Sequence, residues 1–74
     1  MRNKGIEKAI MLVGGTQQKL AKKTKHSQST ISEWLNGKSL ISPEFVPGLV
    51  AATQGKVKAY EFRPDLPELF PHPE

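Results

Sequence analysis

The sequence predicts a compact all-α domain of five helices over residues 1–62, followed by an extended proline-rich tail over residues 63–74. Three observations favour this fold. Apolar residues recur three and four positions apart along most of the chain, which is the spacing of one helix face. Short polar residues of the kind that cap helices precede several of these runs, and Gly or Pro follows them. The 74 residues contain no cysteine, so neither a disulfide nor a thiolate metal site stabilises the fold.

The start of the chain predicts a first helix from Gly5 to Val13. Its apolar residues recur at helical spacing and would form one buried face: Ile6, Ala9, Ile10 and Val13. The Gly14-Gly15 pair then ends the helix. A phosphate-binding glycine loop would need Gly-Lys-Ser/Thr, which does not follow this pair. Residues 1–4 are polar, and we expect them to be loosely held.

Residues 16–37 predict two short helices joined by a tight turn. Thr16 is a capping residue for the second helix of the chain, Gln17–Thr24. Lys25-His26 then forms the turn. Ser27 caps the third helix, which runs from Gln28 to about Leu35.

The third helix has two distinct faces. Ile31, Trp34 and Leu35 lie at positions i, i+3 and i+4 and form the inward stripe. The opposite face carries short polar side chains with a single charge: Gln28, Ser29, Ser32, Glu33 and Asn36. A helix face that is merely solvated usually carries long charged residues. Short amides and hydroxyls instead suit contact with hydrogen-bonding base edges in the DNA major groove.

This stretch resembles the helix-turn-helix of phage Cro and CI repressors, whose second helix reads the major groove. Four positions match the motif, namely Leu20, Ala21, Ile31 and Trp34. Three positions depart from it. Thr24 replaces an apolar residue, Lys25 a glycine and His26 an aliphatic residue. A non-glycine residue at positive φ in the turn costs about 1 kcal/mol.

Other segments resemble the YdaS-type Cro-like regulators of prophages, which are often labelled antitoxins. The resemblance rests on Pro43-Glu44, Ala51-Ala52-Thr53 and Arg63-Pro64-Asp65-Leu66-Pro67, while Asn36-Gly37-Lys38 is typical of Cro-like proteins. The likeness covers roughly residues 5 to 67. It implies a sequence-specific DNA-binding transcriptional regulator, most simply a repressor that binds operator DNA as a homodimer. Half-sites would lie about 34 Å apart.

The resemblance, together with the polar face, also predicts the residues that contact double-stranded DNA. We expect the base edges to be read by four residues: Gln28, Ser29, Ser32 and Glu33. We expect phosphate contacts from five residues: Gln17, Lys19, Thr30, Asn36 and Lys38. Gln17 stands at a helix N-terminus, where backbone N–H groups favour anions.

The charge is divided between the two halves of the chain. Residues 1–38 carry eight Lys or Arg and two acids, and residues 39–74 carry three basic residues and five acids, giving +6 and −2. The basic half contains the helix-turn-helix, as expected for a surface that faces phosphates. Lys19, Lys22 and Lys23 share one outer side of the second helix, where either simple solvation or attraction of DNA explains them.

The second half predicts two further helices. Ser42-Pro43-Glu44 is a helix start, and apolar spacing continues the fourth helix to about Thr53, before Gly55. Pro47 is tolerated near the first turn. Residues 56–62 alternate like a strand, but residues 39–45 offer no plausible partner strand. We therefore expect a short fifth helix near Ala59–Arg63, with a hairpin as the alternative.

Four prolines in the tail exclude a regular helix, so residues 63–74 should be extended. The tail has three apolar side chains, at Leu66, Leu69 and Phe70. Either it lies on its own domain or it packs on a dimer mate or a second protein. The second alternative gives a competing function, an antitoxin or interaction protein that binds a toxin or host factor through its C-terminal half.

The remaining expectations concern assembly, location and chemistry. A chain of this size has a marginal core, so dimerisation is a plausible source of stability. Contacts are expected from Val50, Tyr60 and Phe62. No apolar run approaches the roughly 20 residues of a membrane span, and the start does not resemble a signal peptide, so we predict a cytoplasmic protein. No catalytic set, metal site or cofactor is predicted.

Overall fold

The structure, a computed structural model, describes residues 2–71 of the chain. It contains five α-helices: α1 (Lys4–Leu12), α2 (Gln17–Thr24), α3 (Gln28–Asn36), α4 (Val46–Ala52) and α5 (Ala59–Phe62). A 3₁₀ turn, Pro43–Phe45, directly precedes α4. Residues 2–71 contain no strand. The predicted all-α fold is therefore confirmed, and the hairpin alternative for residues 56–62 is wrong.

All five helices enclose one apolar core. Thirteen hydrophobic side chains are buried in it: Ile6, Ala9, Ile10, Leu20, Ala21, Ile31, Trp34, Leu35, Ile41, Val46, Leu49, Val57 and Phe62. Each fully buried aliphatic or aromatic side chain contributes about 1.5–3 kcal/mol relative to its exposed state. The helical spacing that predicted the helices thus corresponds to the faces that meet in the core.

Asn3 holds three helix ends together, so the expectation that the start of the chain is loosely held is wrong at this residue; residue 1 lies outside the described residues. Its side-chain oxygen accepts a hydrogen bond from the Ile6 N–H at 3.1 Å and caps α1. Its side-chain amide donates to the Phe62 carbonyl at 3.1 Å, at the end of α5. Its backbone N–H donates to the Leu35 carbonyl at 2.9 Å, near the end of α3. The capping role of Asn was available from its residue type, but the two distant contacts were not.

The junction of α2 and α3 forms as predicted. The Thr16 hydroxyl accepts a hydrogen bond from the Lys19 N–H at 3.2 Å, and the Ser27 hydroxyl accepts one from the Thr30 N–H at 3.1 Å. Lys25 adopts the left-handed conformation, with φ 60° and ψ 32°. The turn therefore has the backbone that a glycine would favour, and a lysine occupies it.

The predicted fourth helix is divided into the 3₁₀ turn and α4. Pro47 has no N–H, and its ring would collide with the carbonyl of Pro43 in a continuous α-helix. The Val46 N–H instead bonds the Pro43 carbonyl three residues back, and the α-helix begins at Val46 with Pro47 in its first turn. Ser42 lies at the start but makes no side-chain capping bond.

The proline-rich segment forms two turns over residues 64–70. The predicted extended course is therefore wrong for the part of the tail that the structure describes. The Leu66 N–H bonds the Arg63 carbonyl at 3.3 Å, and the Leu69 N–H bonds the Leu66 carbonyl at 3.2 Å. Pro64 and Pro67 each stand at the second position of one of these turns, where the fixed φ of proline is favourable. The last part of the predicted tail, residues 72–74, lies outside the described residues.

Arg63 fastens this segment to the helical domain. Its guanidinium is buried and donates to the Ile41 carbonyl. It also donates to both carboxylate oxygens of Asp65, at 2.9 and 2.8 Å. This bidentate pair lowers the pKa of Asp65. Phe70 is partly buried against the core. The described part of the tail therefore lies on its own domain.

Replacing Lys25 by Gly should raise the free energy of unfolding by up to about 1 kcal/mol, because glycine adopts φ near +60° without the steric cost of a side chain. Urea denaturation measures this change. Lys22→Gly, in the body of α2, is the matched control and should lower stability by about 1 kcal/mol. Equal destabilisation by both substitutions would contradict the left-handed turn.

Glu61 should make the stability of the domain depend on acid pH. One carboxylate oxygen accepts from Lys8 Nζ at 2.9 Å and the other from the Lys58 N–H at 2.7 Å. These hydrogen bonds lower the pKa of Glu61, and the bond from Lys8 has the largest effect. The resulting stabilisation is fully present above the ordinary pKa of a glutamate and is lost as the pH falls through the lowered pKa.

Glu61→Gln should accordingly cost about 0.5–1 kcal/mol at neutral pH and almost nothing at strongly acid pH, as measured by chemical denaturation across the pH range. Glu68→Gln removes the same charge at an exposed position and should leave the pH dependence nearly unchanged. A Glu61→Gln variant whose deficit persists undiminished in acid would contradict the ionic origin of this stabilisation.

Candidate nucleic-acid interface

The orientation of α3 agrees with the predicted faces. Ile31, Trp34 and Leu35 are at most 4% exposed and face the core. The opposite side presents the polar set, in which Ser32 is half-buried and the other members are exposed: Gln28, Ser29, Glu33 and Asn36. The pattern of the sequence therefore established which side of this helix is available to a ligand.

An open groove runs between the start of α2 and the outer face of α3. We call it the α2–α3 groove, and it is lined by Gln17, Gln28, Ser29, Ser32 and Glu33. The structure thus places all four predicted base-reading residues on one continuous surface with one predicted phosphate-contacting residue. The side chains offer amide donors and acceptors, hydroxyls and a single carboxylate, which together match the donors and acceptors of base edges.

The other four predicted phosphate-contacting residues lie on α3, directly after it, or on α2. The Asn36 amide donates to the Ser32 hydroxyl at 3.3 Å and so steadies one member of the groove. The Thr30 hydroxyl shares a 2.9 Å hydrogen bond with the Ser27 hydroxyl at the cap of the helix. Lys38 is exposed directly after Gly37, the residue that ends α3 with φ 76°.

Lys19 is exposed on α2, and its side chain lies against the preceding loop. A Cβ atom at Gly14 would lie 2.5 Å from the Cδ of Lys19, a contact that the flexible lysine stem could relieve by moving. Glycine is required at Gly14 and Gly15 by their φ values of 129° and 90°, which end α1. The contact with Lys19 had no signal in the sequence, because it depends on the course of α2 relative to the loop.

An aromatic cluster fixes the turn and α3 from the outside. The His26 ring meets Trp34 edge to face, with centroids 4.9 Å apart, and meets Phe45 in the same manner at 4.8 Å. Edge-to-face aromatic contacts stabilise a fold by more than the burial of their apolar area alone. His26 thus fills the position where the resemblance led us to expect an aliphatic residue. The contribution of Phe45 was missed, because no local pattern relates it to the turn.

The basic residues of the first half are all at the surface. All eight Lys and Arg side chains within residues 2–38 are exposed: Arg2, Lys4, Lys8, Lys19, Lys22, Lys23, Lys25 and Lys38. The half of the chain that carries the α2–α3 groove is therefore also the half with the positive surface charge. A positive surface of this kind attracts polyanions over several ångströms.

The predicted dimer contacts need one correction. Phe62 is 1% exposed, so it belongs to the core of its own chain and has no surface to offer a second copy. It packs closely on α1, where a Cβ at Gly5 would lie 2.9 Å from its ring. Val50 and Tyr60 are half-buried. Phe62 was assigned to a dimer contact because the core of a small chain without cysteine was expected to be marginal, whereas α5 turns its side chain into that core.

Two further observations concern metal-binding groups and membrane-spanning helices in the described part of the chain. Within residues 2–71, no three His, Asp or Glu side chains are grouped to hold a metal ion. In the same part of the chain, no helix has the length and apolar character needed to cross a membrane.

Comparison with known proteins gives one family. A family model described as bacterial toxin YdaS matches residues 6–69, which is most of the chain. The matched range contains the whole of α2 and α3 and the groove between them. No curated protein and no solved structure shows significant similarity to the chain.

Proposed function

The chain belongs to the bacterial toxin YdaS family, and on this premise we propose that it is a prophage-type transcriptional regulator that binds operator DNA through α3. In this proposal it acts as a repressor and works by occupying promoter DNA. It carries out no catalysis and requires no cofactor. It works in the cytoplasm, where the operator is accessible.

The observation that carries the proposal is the composition of the α2–α3 groove. Its five lining residues are short or medium polar side chains, and only Glu33 is charged. The Gln28 amide has the donor and acceptor that pair bidentately with adenine, and the Glu33 carboxylate can accept from the amino group of cytosine. Ser29 and Ser32 add hydroxyls that bond either kind of base edge. A nonspecific binder would instead present lysines here.

Electrostatics support the same ligand. The exposed cations of the first half supply the attraction to phosphates that gives DNA binding much of its affinity. Lys19 lies on α2, and Lys38 follows the end of α3. Contacts of these residues to phosphates would set the register, and the groove residues would then read the sequence.

The proposed operator is pseudo-palindromic and is bound by a homodimer. A two-fold symmetric protein presents its two reading helices to half-sites about one helical turn, or 34 Å, apart. Dimerisation also adds buried surface to a small core without disulfides.

A second function, contact with another protein, is supported by Leu69; the family description, bacterial toxin YdaS, calls the members of the family toxins and names no partner. This leucine is 59% exposed in the acidic half of the chain. An exposed apolar side chain on an acidic surface suits contact with a second protein, such as a toxin or a host factor.

Deleting residues 60–74 would remove Phe62 and Arg63 from the core, so Leu69→Asp is the better test. DNA binding should survive this substitution if the segment serves only a protein partner.

Affinity for DNA should fall steeply with salt, with a log–log slope of about −0.9 for each phosphate neutralised. The test uses duplexes enriched from a random pool, or the DNA that flanks the gene, in fluorescence anisotropy between low and moderate salt. Lys56→Ala, an exposed lysine in the acidic half, is the control and should leave the slope unchanged. A flat salt response would contradict DNA as the ligand.

Gln28→Ala should weaken binding to the enriched duplex by about 1–3 kcal/mol, the value of one bidentate base contact, and should barely affect binding to random DNA. Thermal stability should hardly change, because Gln28 is exposed. Lys38→Ala should weaken binding to both duplexes alike, and it should make the slope of affinity against salt shallower by about one unit. If the two substitutions have the same effect on both DNAs, α3 does not read the bases.

A further inference from the structure

A second groove lies away from the outer face of α3, beside the start of α1. It is bordered by residues 2–4, by the loop of residues 37–40 and by residues 60–65, and we call it the α1–α5 groove. Its surface is mostly apolar, with contributions from Tyr60 and Pro64. Leu40 stands at its edge and is 69% exposed, although it is a large aliphatic residue. Apolar surface of this kind usually marks a contact.

The charges around this groove differ in sign between its sides. The N-terminal segment contributes Arg2 and Lys4, both exposed. The segment at and after α5 contributes Glu61 and Asp65. The carboxylate of Asp65 is 52% exposed even though it is paired with Arg63, and oxygens of this kind accept more than one hydrogen bond.

We propose that the α1–α5 groove is the surface through which two copies of this chain associate. A two-fold axis brings the same patch of both chains together, so the basic side of one meets the acidic side of the other. The apolar floor and Leu40 then become buried between the copies. A surface with both charge signs is self-complementary, whereas a purely basic or purely acidic partner would match only half of it.

DNA fits this groove poorly, because Glu61 and Asp65 would repel phosphates at one side. The α2–α3 groove has one carboxylate and lies in the basic half, so the two grooves suit different ligands. The proposal also replaces the predicted dimer contact at Phe62. Leu40 and Tyr60 provide the accessible apolar surface that the buried ring of Phe62 does not.

The position of the groove relative to α3 gives the assembly a consequence for DNA, which rests on the proposed function. Gly37, the residue that ends α3, lines the α1–α5 groove, whereas Gln28, at the other end of the helix, does not. A dimer formed through this groove therefore has the C-terminal ends of both reading helices near its axis. Gln28 lies at the opposite end of each nine-residue helix, about 14 Å along the helix from its C-terminal end.

The test is sedimentation of the full chain without DNA over a wide concentration range. The native chain should approach twice its 8.2 kDa mass at high concentration. Leu40→Asp should raise the dimer dissociation constant by at least about tenfold, because it puts a charge where the dimer buries an apolar side chain. Lys4→Glu should also raise it, because it places acid against acid across the axis. Met11→Asp is the matched control, since Met11 is 74% exposed and lies outside the groove.

Helical circular dichroism and thermal unfolding must show that the variants are folded, which the exposure of Leu40 and Lys4 favours. A native chain that stays monomeric at high concentration overturns the proposal, and so does a Leu40→Asp chain that dimerises as well as the native one. The result does not depend on DNA. A dimer that Leu40→Asp disrupts, in a chain that binds no DNA, would retain this interface and reject the proposed function. A chain that binds DNA, and whose dimer is not weakened by Leu40→Asp, would reject this interface and retain the proposed function.

Discussion

The burial of the inner face of α3 is the constraint on which the rest of the structure depends. A helix of nine residues is not stable alone in water, so its position must come from tertiary packing. Ile31, Trp34 and Leu35 supply that packing from within the core. The turn contributes from one side through His26, and Asn3 holds the Leu35 carbonyl from the other. A helix fixed in this way can present its outer face with little freedom to lose on binding.

The two halves of the molecule divide the work accordingly. The basic half forms the α2–α3 groove, and the acidic half completes the core through α4, α5 and Arg63. Because Arg63 holds both the Ile41 carbonyl and Asp65, the proline-rich segment cannot leave the domain without exposing an unpaired buried carbonyl. The chain therefore keeps its C-terminal segment close to the loop that follows α3, and this loop borders the α1–α5 groove.

What the sequence could predict was local. The caps at Thr16 and Ser27, the left-handed turn at Lys25 and the two faces of α3 depend on residues within one or two helical turns, and all were found where expected. The contacts of Asn3 with Phe62, 59 residues away, and of Arg63 with Ile41 have no local signature. The short helix at Ala59–Phe62 was expected, but the inward position of Phe62 was missed, because it depends on packing against Gly5 of α1, which is distant in the sequence.

The central claim is that the outer face of α3 contacts DNA, and backbone amide NMR measures it most directly. Isotopically labelled protein would be titrated with a short duplex enriched from a random pool. The account predicts that the largest changes in amide chemical shift occur at Gln17 and along Gln28–Glu33, with a further change at Lys38. The chemical shifts of the α4 amides should hardly change. Changes confined to α4, α5 and the segment after Arg63, or no change at saturating duplex, would contradict it.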